Sequence, residues 1–258
     1  MMNRRSAIIT LAGKSSRFSR SVGHVCHKSL YQEGPDDTNL LTMQLQLLRK
    51  AEFQEIVLVG GFLFDALEAF IMKSHFEIPI KLVNNRHYED LGSCYSLCLG
   101  IDAVSYDASS VLFMEGDLLF DDKTFLELVS QEDDAITSTH SIVDARTSVA
   151  FYVTPEGKLR YEYDGNHKVL QVREPFVKIG DSGQVWQFAN VSKLKDCIKH
   201  YGAAEWSGIN LVPILGYYRD VDANAIRVCQ FNAWFNCNTI SDYRAMKNYV
   251  KENESGRN

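Results

Sequence analysis

Ile8-Ile9-Thr10-Leu11-Ala12-Gly13-Lys14-Ser15-Ser16-Arg17-Phe18, with Lys28 following eleven residues after Arg17, decides how this chain is read. A β-branched run ends in a Gly/Ser loop, and two cations come next. Such a loop turns backbone N–H groups and positive charge toward a polyphosphate. Gly13-Lys14-Ser15 looks like the end of a P-loop, but that motif needs a glycine five residues before Gly13, and Ile8 stands there. The plainer alternative is a strand-to-helix turn with surface cations.

Working outward, short apolar runs at Ala7–Leu11, Ile56–Val59, Ile80–Val83 and Val111–Met114 read as strands buried on both faces. Between them, Leu40–Leu48, Phe64–Met72 and Tyr95–Val104 place their apolar residues on one helical face. This alternation predicts an α/β fold: a doubly wound, mainly parallel sheet with helices on both faces. Ligands of such sheets bind beyond the carboxyl ends of the strands, so the loops after Leu11 and Met114 share one edge.

The second half is less regular and reads as a smaller mixed β-rich region. Strands are expected at Ser148–Val153, Leu159–Tyr163, Lys168–Val172 and Val185–Phe188. Turns are expected at Pro155-Glu156-Gly157, Asp164-Gly165-Asn166 and Asp181-Ser182-Gly183. Val191–His200 and Ser241–Val250 read as helices, the latter capped by Ser241. With five prolines and no linker-like stretch, residues 1–258 are expected to form a single domain. Residues 1–140 would be its regular half and 141–258 its irregular half.

Composition excludes several classes. A net charge of −6 without a basic stripe argues against nucleic acid as a partner. No run of 18 apolar residues and no signal-peptide core are present, which points to a cytoplasmic protein and no membrane partner. The six cysteines, at 26, 94, 98, 197, 229 and 237, form no Cys-x-x-Cys pair and read as reduced thiols. Cys94 and Cys98 share a helix face as small hydrophobes. His24, Cys26 and His27 match no common zinc spacing.

Glu115-Gly116-Asp117 ends the Val111–Met114 strand, and carboxylates there suit Mg²⁺ bridging phosphates. Asp121-Asp122 reads as a helix N-cap. Asn85, Tyr88, Ser93, Tyr95 and Ser96 lie in a loop leading into a helix, suited to holding a base, with Ser93 also as an N-cap.

On these residues the chain resembles the nucleotidyltransferase superfamily. Ala12, Gly13, Ser16, Arg17 and Lys28 fill its signature loop, with Ser15 where a second glycine is usual. The Asn-x-x-Tyr…Ser-x-Tyr-Ser pattern and Glu115-Gly116-Asp117 are similar to bacterial choline-phosphate cytidylyltransferases and their aminoethylphosphonate-activating relatives. The match covers roughly residues 7–120 and returns at Trp234–Tyr243. The resemblance implies Mg²⁺-dependent transfer of CMP from CTP to a small phosphate- or phosphonate-bearing acceptor, with pyrophosphate released.

It implies a nucleotide-binding half at 1–140 and an acceptor-binding half at 141–258, and it assigns Lys28, Arg17 and Asp117 to catalysis. Leu11, Ala12, Gly13, Lys14, Ser15, Ser16, Arg17, Asn85, Ser93 and Glu115 are assigned to the nucleotide. Glu174, Trp186 and Trp206 are candidates for the acceptor, aromatic faces suiting an ammonium group, and Trp234, Tyr161 and Tyr163 could join that wall. The metal falls to Asp117 and Asn238; the family carries acids where this chain has Asn236 and Asn238, so a neutral carbonyl replaces a charge. A sugar-1-phosphate nucleotidylyltransferase using UTP, dTTP or GTP is the neighbouring reading. A nucleotide-binding regulatory protein without catalysis is the reading from another class. Oligomeric state is not legible.

Overall fold

The computed structural model describes residues 4–139, 149–163 and 172–255. Four parallel strands, β1 (Arg5–Thr10), β2 (Glu55–Gly60), β3 (Ile80–Asn84) and β4 (Ser110–Glu115), lie in the order β3-β2-β1-β4. All four fall on the expected apolar runs. Successive side chains leave a strand on opposite faces, so Ile8 packs with Val57, Val59 and Phe113, while Ala7 and Ile9 pack with Leu58 and Leu112.

Helices α4 (Ser93–Ala103), α6 (Val191–Ile198) and α8 (Leu211–Tyr218) cover the first face. The second is covered by α2 (Leu40–Lys50), α3 (Phe64–Lys73) and α5 (Asp122–Leu128). With β4 beside β1, strand order reverses between them, and the crevice at that reversal opens above their carboxyl ends.

The sheet continues through antiparallel β9 (Lys178–Phe188) to β6 (Ala135–Ser138) and β10 (Arg227–Gln230). A hairpin of β7 (Val149–Val153) and β8 (Leu159–Tyr163) pairs with the first half of β9. β5 (Leu118–Phe120) and β11 (Trp234–Asn236) form a separate two-stranded ribbon. Short α1 (Ser16–Val22) and α7 (Ala203–Trp206), a 3₁₀ turn at Lys28–Leu30, and C-terminal α9 (Ile240–Ser255) complete the chain. Among the described residues no helix is long and apolar enough to cross a membrane.

Three expectations need correction. Asp181-Ser182-Gly183 is not a turn but part of β9, whose backbone kinks there without reversing. Ser241 does not cap α9: the helix begins at Ile240, and Thr239 and Asp242 exchange hydrogen bonds across its first turn, at 2.7 and 3.3 Å. Ser93 does not cap α4 with its side chain; Gly92 occupies that position, and the Ser93 hydroxyl instead accepts from the Asn210 N–H at 2.9 Å.

Asp121 caps α5 as expected, accepting from the Thr124 N–H at 2.9 Å. Pro155-Glu156-Gly157 turns as expected, with Gly157 at φ 72°. The Asp164-Gly165-Asn166 turn, Ser148, and all of the Lys168–Val172 strand except Val172 lie outside the described residues.

Candidate active site

The loop after β1 meets the loop after β4. The Gly116 N–H donates to the Thr10 carbonyl at 3.0 Å. A Cβ on Gly116 would stand 2.1 Å from Leu11 Cδ2, so only glycine allows this approach. Ser15, at φ 52°, turns the chain into α1, and its hydroxyl accepts from the Lys28 N–H at 3.3 Å. The buried Ser29 hydroxyl donates to the Gly116 carbonyl at 2.6 Å. Lys28 is therefore fastened by its neighbours to both loops.

The Lys28 ammonium donates to Asp117 Oδ2 at 2.5 Å and lies 3.5 Å from Asn238 Oδ1. Arg17 Nη2 donates to the same Asn238 oxygen at 3.0 Å. Asn238 Nδ2 donates to Asn236 Oδ1 at 2.6 Å, which turns the Asn238 carbonyl toward the two cations. Backbone pairing brings this segment in, since the Cys237 N–H donates to the Asp117 carbonyl at 2.7 Å beside the β5–β11 ribbon.

Glu115 is reached by Asn210 Nδ2 at 2.5 Å. Burial, helped by the neighbouring Asp117 charge, pushes its carboxyl up to about 7, against the pull of Asn210 and Lys28. His27 is also buried, and burial lowers its imidazole to about 4, leaving it neutral. Asn210 arrives because the chain at 206–210 lies against the start of α4: the Gly92 N–H donates to the Trp206 carbonyl at 2.9 Å, and the Cys94 N–H to the Gly208 carbonyl at 3.1 Å.

His27, Lys28, Glu115, Asp117 and Asn210 border a cavity of about 320 Å³, with Asn236 and Asn238 outside its lining. Of the residues expected at the nucleotide, Leu11, Ala12, Gly13, Ser15, Ser93 and Glu115 line it, as do Lys28 and Asp117. Lys14, Ser16 and Arg17 do not line it; Lys14 pairs with Glu89 at 3.2 Å. Asn85 stands apart too. Its buried amide donates to Ser96 Oγ at 2.9 Å and accepts from the His87 N–H at 2.9 Å, which fixes the loop rather than facing the cavity.

The acceptor candidates separate as well. Trp186 lines the cavity, but its ring is stacked on Phe113 at 5.4 Å and its Nε1 donates to the Tyr161 hydroxyl. Trp206 packs edge-on against Tyr95 away from the lining. Glu174 accepts from the Tyr152 hydroxyl at 2.7 Å, also away from it. Of the expected aromatic wall, Trp186 and Tyr163 line the cavity and Tyr161 is bonded to Trp186, while Trp206 and Trp234 stand outside the lining. Asn210, Ser29, His27 and Gln184 line the cavity without having been expected there; His27 and Ser29 flank Lys28, which was the available signal, whereas Asn210 and Gln184 sit in no periodic or motif-like context.

A hard divalent cation fits the donor set. Asp117 Oδ1 is buried without a hydrogen-bond partner among the described residues, and the carbonyl oxygens of Asn236 and Asn238 are of the type Mg²⁺ takes. Among the described residues no His/Cys/Asp/Glu cluster of three or more forms a metal site.

Several solved structures share this fold. The inositol-1-phosphate CTP transferase from T. maritima matches with a TM-score of 0.66 and 18% identity, over 93% of this chain and 91% of its own. A protein assigned as a glucose-1-phosphate thymidylyltransferase from Bacillus anthracis gives 0.68 and 14%, over 93% of both chains. The CTP:phosphocholine cytidylyltransferase from Streptococcus pneumoniae gives 0.62 and 17%, over 96% of this chain and 99% of its own. The chain has the fold of these three structures. Residues 24–250 match the family described as a domain of unknown function, DUF6564, and the chain belongs to it. No curated protein matches its sequence.

Proposed function

We propose that this protein is a Mg²⁺-dependent nucleotidyltransferase, with CTP as its nucleotide and a small phosphate- or phosphonate-bearing molecule as acceptor. The observation that carries this reading is the convergence of Lys28, Arg17, Asp117 and Asn238 at the mouth of the β1–β4 crevice. A phosphate or phosphonate oxygen of the acceptor attacks the α-phosphorus in line. The new P–O bond forms as the bond from the α-phosphorus to the bridging oxygen breaks, and pyrophosphate leaves with that electron pair.

Such a reaction needs positioning and charge stabilisation, not a covalent enzyme intermediate. The free N–H groups of the Gly13 loop hold phosphate oxygens, and Lys28 and Arg17 balance the charge that grows on the leaving pyrophosphate. Asp117 and Asn238 would hold Mg²⁺, with Asn236 and Glu115 nearby. Bound there, the ion neutralises phosphate charge and polarises the α-phosphoryl oxygens. Residues 1–140 supply most of the nucleotide contacts and 141–258 most of the acceptor contacts. Asn210, from the second half, reaches across to Glu115.

The test is thermal shift with CTP, UTP, ATP, GTP and dTTP, each with and without Mg²⁺, followed by pyrophosphate release with candidate acceptors. A ligand at 100 times its Kd stabilises by roughly 2.7 kcal/mol, a readily measured rise in Tm. A Mg²⁺-dependent rise with CTP alone supports the cytidylyl reading. A rise with UTP, dTTP or GTP moves it to a sugar-1-phosphate nucleotidylyltransferase. Binding without pyrophosphate release from any acceptor supports a regulatory protein, and no rise at all rejects a nucleotide site.

A further inference from the structure

His27 immediately precedes the 3₁₀ turn that carries Lys28, and the backbone around it is tied down. Its own carbonyl accepts from the Leu30 N–H at 3.0 Å, which starts the turn. The Lys28 N–H is held by Ser15 Oγ at 3.3 Å, and Ser29 Oγ donates to the Gly116 carbonyl at 2.6 Å. His27 is therefore seated against the loops after β1 and β4. It lines the cavity with Thr10, Leu11, Gly13, Ser15 and Lys28.

The residue is 5% exposed, and neither Nδ1 nor Nε2 has a hydrogen-bond partner among the described residues. Burial brings the imidazole down to about 4, and the Lys28 charge adds to this. The Leu11 backbone lies near enough to pull the other way, yet outside hydrogen-bonding geometry. The ring is thus neutral at pH 7, with one N–H donor and one lone pair.

Buried polar groups are nearly always paired, and one left without a partner destabilises the fold. A residue kept there for packing alone would need no nitrogen, since leucine or phenylalanine would fill the space without that loss. A ring that borders a cavity and lacks a protein partner points to a partner inside the cavity.

The wall around His27 says what that partner is. Among the described residues, the carboxylates lining the cavity, Glu115 and Asp117, both come from the end of β4 and the loop after it. His27 sits instead with Lys28 and the Gly13 loop, a wall of N–H groups, a hydroxyl and an ammonium. Such a wall attracts an oxyanion and repels a cation. An oxyanion accepts without donating, so it uses the one N–H of a neutral imidazole in a charge-assisted bond.

We infer that His27 is a phosphate-binding residue, its ring N–H donating to a phosphoryl oxygen of the bound nucleotide beside Lys28. The inference rests on the nucleotidyltransferase reading above. To the loop amides, Lys28 and Arg17 it adds a side-chain donor that carries no charge and so does not repel Lys28.

The experiment is calorimetric titration of wild type, His27→Leu, His27→Asn and His27→Gln with CTP and with inorganic pyrophosphate, each in Mg²⁺. Pyrophosphate has no base or ribose, so a loss of its affinity reports on phosphate alone. His27→Leu should bind both ligands at least ~10-fold more weakly than wild type. One amide should restore most of that affinity, His27→Asn where Nδ1 is the donor and His27→Gln where Nε2 is. Equal pyrophosphate binding by wild type and His27→Leu, or none by wild type, overturns the assignment; a loss confined to CTP would place His27 on the nucleoside. An equal loss in all three variants also overturns it, making the ring a support of the cavity. Should His27→Leu fail to fold, one amide must bind pyrophosphate like wild type and the other more weakly, and any other pattern overturns the proposal. Failure of CTP, UTP, ATP, GTP and dTTP to bind wild type defeats the nucleotidyltransferase reading instead, and the pyrophosphate titrations still decide whether His27 binds phosphate.

Discussion

The ammonium nitrogen of Lys28 stands 2.5 Å from Asp117 Oδ2, across 89 residues of chain. The pair joins the loop after β1 to the loop after β4, and both side chains are mostly buried, at 19% and 14% exposure. It is therefore short, charge-assisted and partly shielded from solvent, which makes it stronger than a surface ion pair. In the proposed reaction Lys28 turns to phosphate and frees Asp117 for the metal.

Lys28→Ala and Asp117→Ala should each lower pyrophosphate release by about 10²–10³-fold. The fold survives, because Ser29 Oγ still holds Gly116 and Cys237 still pairs with the Asp117 backbone. The double variant should cost little more than either single one, since the two groups act as a unit. Turnover near wild type in Asp117→Ala would sink the metal assignment.

Asn238 invites the opposite change. Its carbonyl faces both Arg17 and Lys28, a place electrostatically ready for a carboxylate. Asn238→Asp adds a charge to the donor set for a hard cation. Half-saturating Mg²⁺ for pyrophosphate release should fall several-fold, roughly 3–10-fold, as expected for about 1 kcal/mol of added attraction. An unchanged Mg²⁺ dependence would place Asn238 beyond reach of the ion.

Gly92 tests how the second half is docked. A Cβ there would lie 1.9 Å from the Gly208 carbonyl oxygen, so backbone must move. Because φ is −79°, the obstacle is contact and not conformation. Gly92→Ala should destabilise by about 1–3 kcal/mol, a Tm drop of roughly 2–12 °C for a chain of this size. It should also weaken acceptor binding, because the displaced segment carries Asn210. A variant that melts like wild type would show that the two backbones can part freely.

The legible parts of this chain were those where one physical rule dominates. β1 to β4 are buried on both faces, so their apolar runs are continuous, and the loops at their carboxyl ends had to meet. In the second half rules compete. Asp181-Ser182-Gly183 has turn chemistry, yet pairing with β7 and β6 on either side keeps it extended. α8 holds Pro213 and Gly216, both poor helix residues, and forms because Leu211, Ile214, Tyr217 and Tyr218 are buried against the sheet. Asn85, Trp206 and Glu174 have the right chemical type for a site, but tertiary contacts give each another partner: Ser96, Tyr95 and Tyr152. Gln184 and Asn210 reach the cavity through a bulge and a loop contact, which leave no periodic trace.

Glu55 supplies a prediction at the opposite end of the sheet. Burial alone would raise its carboxyl, but hydrogen bonds from Lys81 at 2.6 Å, from the Ser105 hydroxyl and N–H at 2.7 and 3.0 Å, and from Ser6 at 2.7 Å outweigh it. The folded-state pKa is held down at about 2, below the ordinary 4.5. For an acid depressed on folding, the stabilisation is fully present above the unfolded value. It is lost as pH falls through the folded one. Allowing for the exposure of Lys81, the contribution at pH 7 is roughly 2–3 kcal/mol. Glu55→Gln should therefore unfold at lower urea at pH 7, and its deficit against wild type should shrink from pH 4.5 down toward pH 2. A deficit that stays constant across that range would assign the loss to packing or to the new amide, and not to the carboxylate's charge.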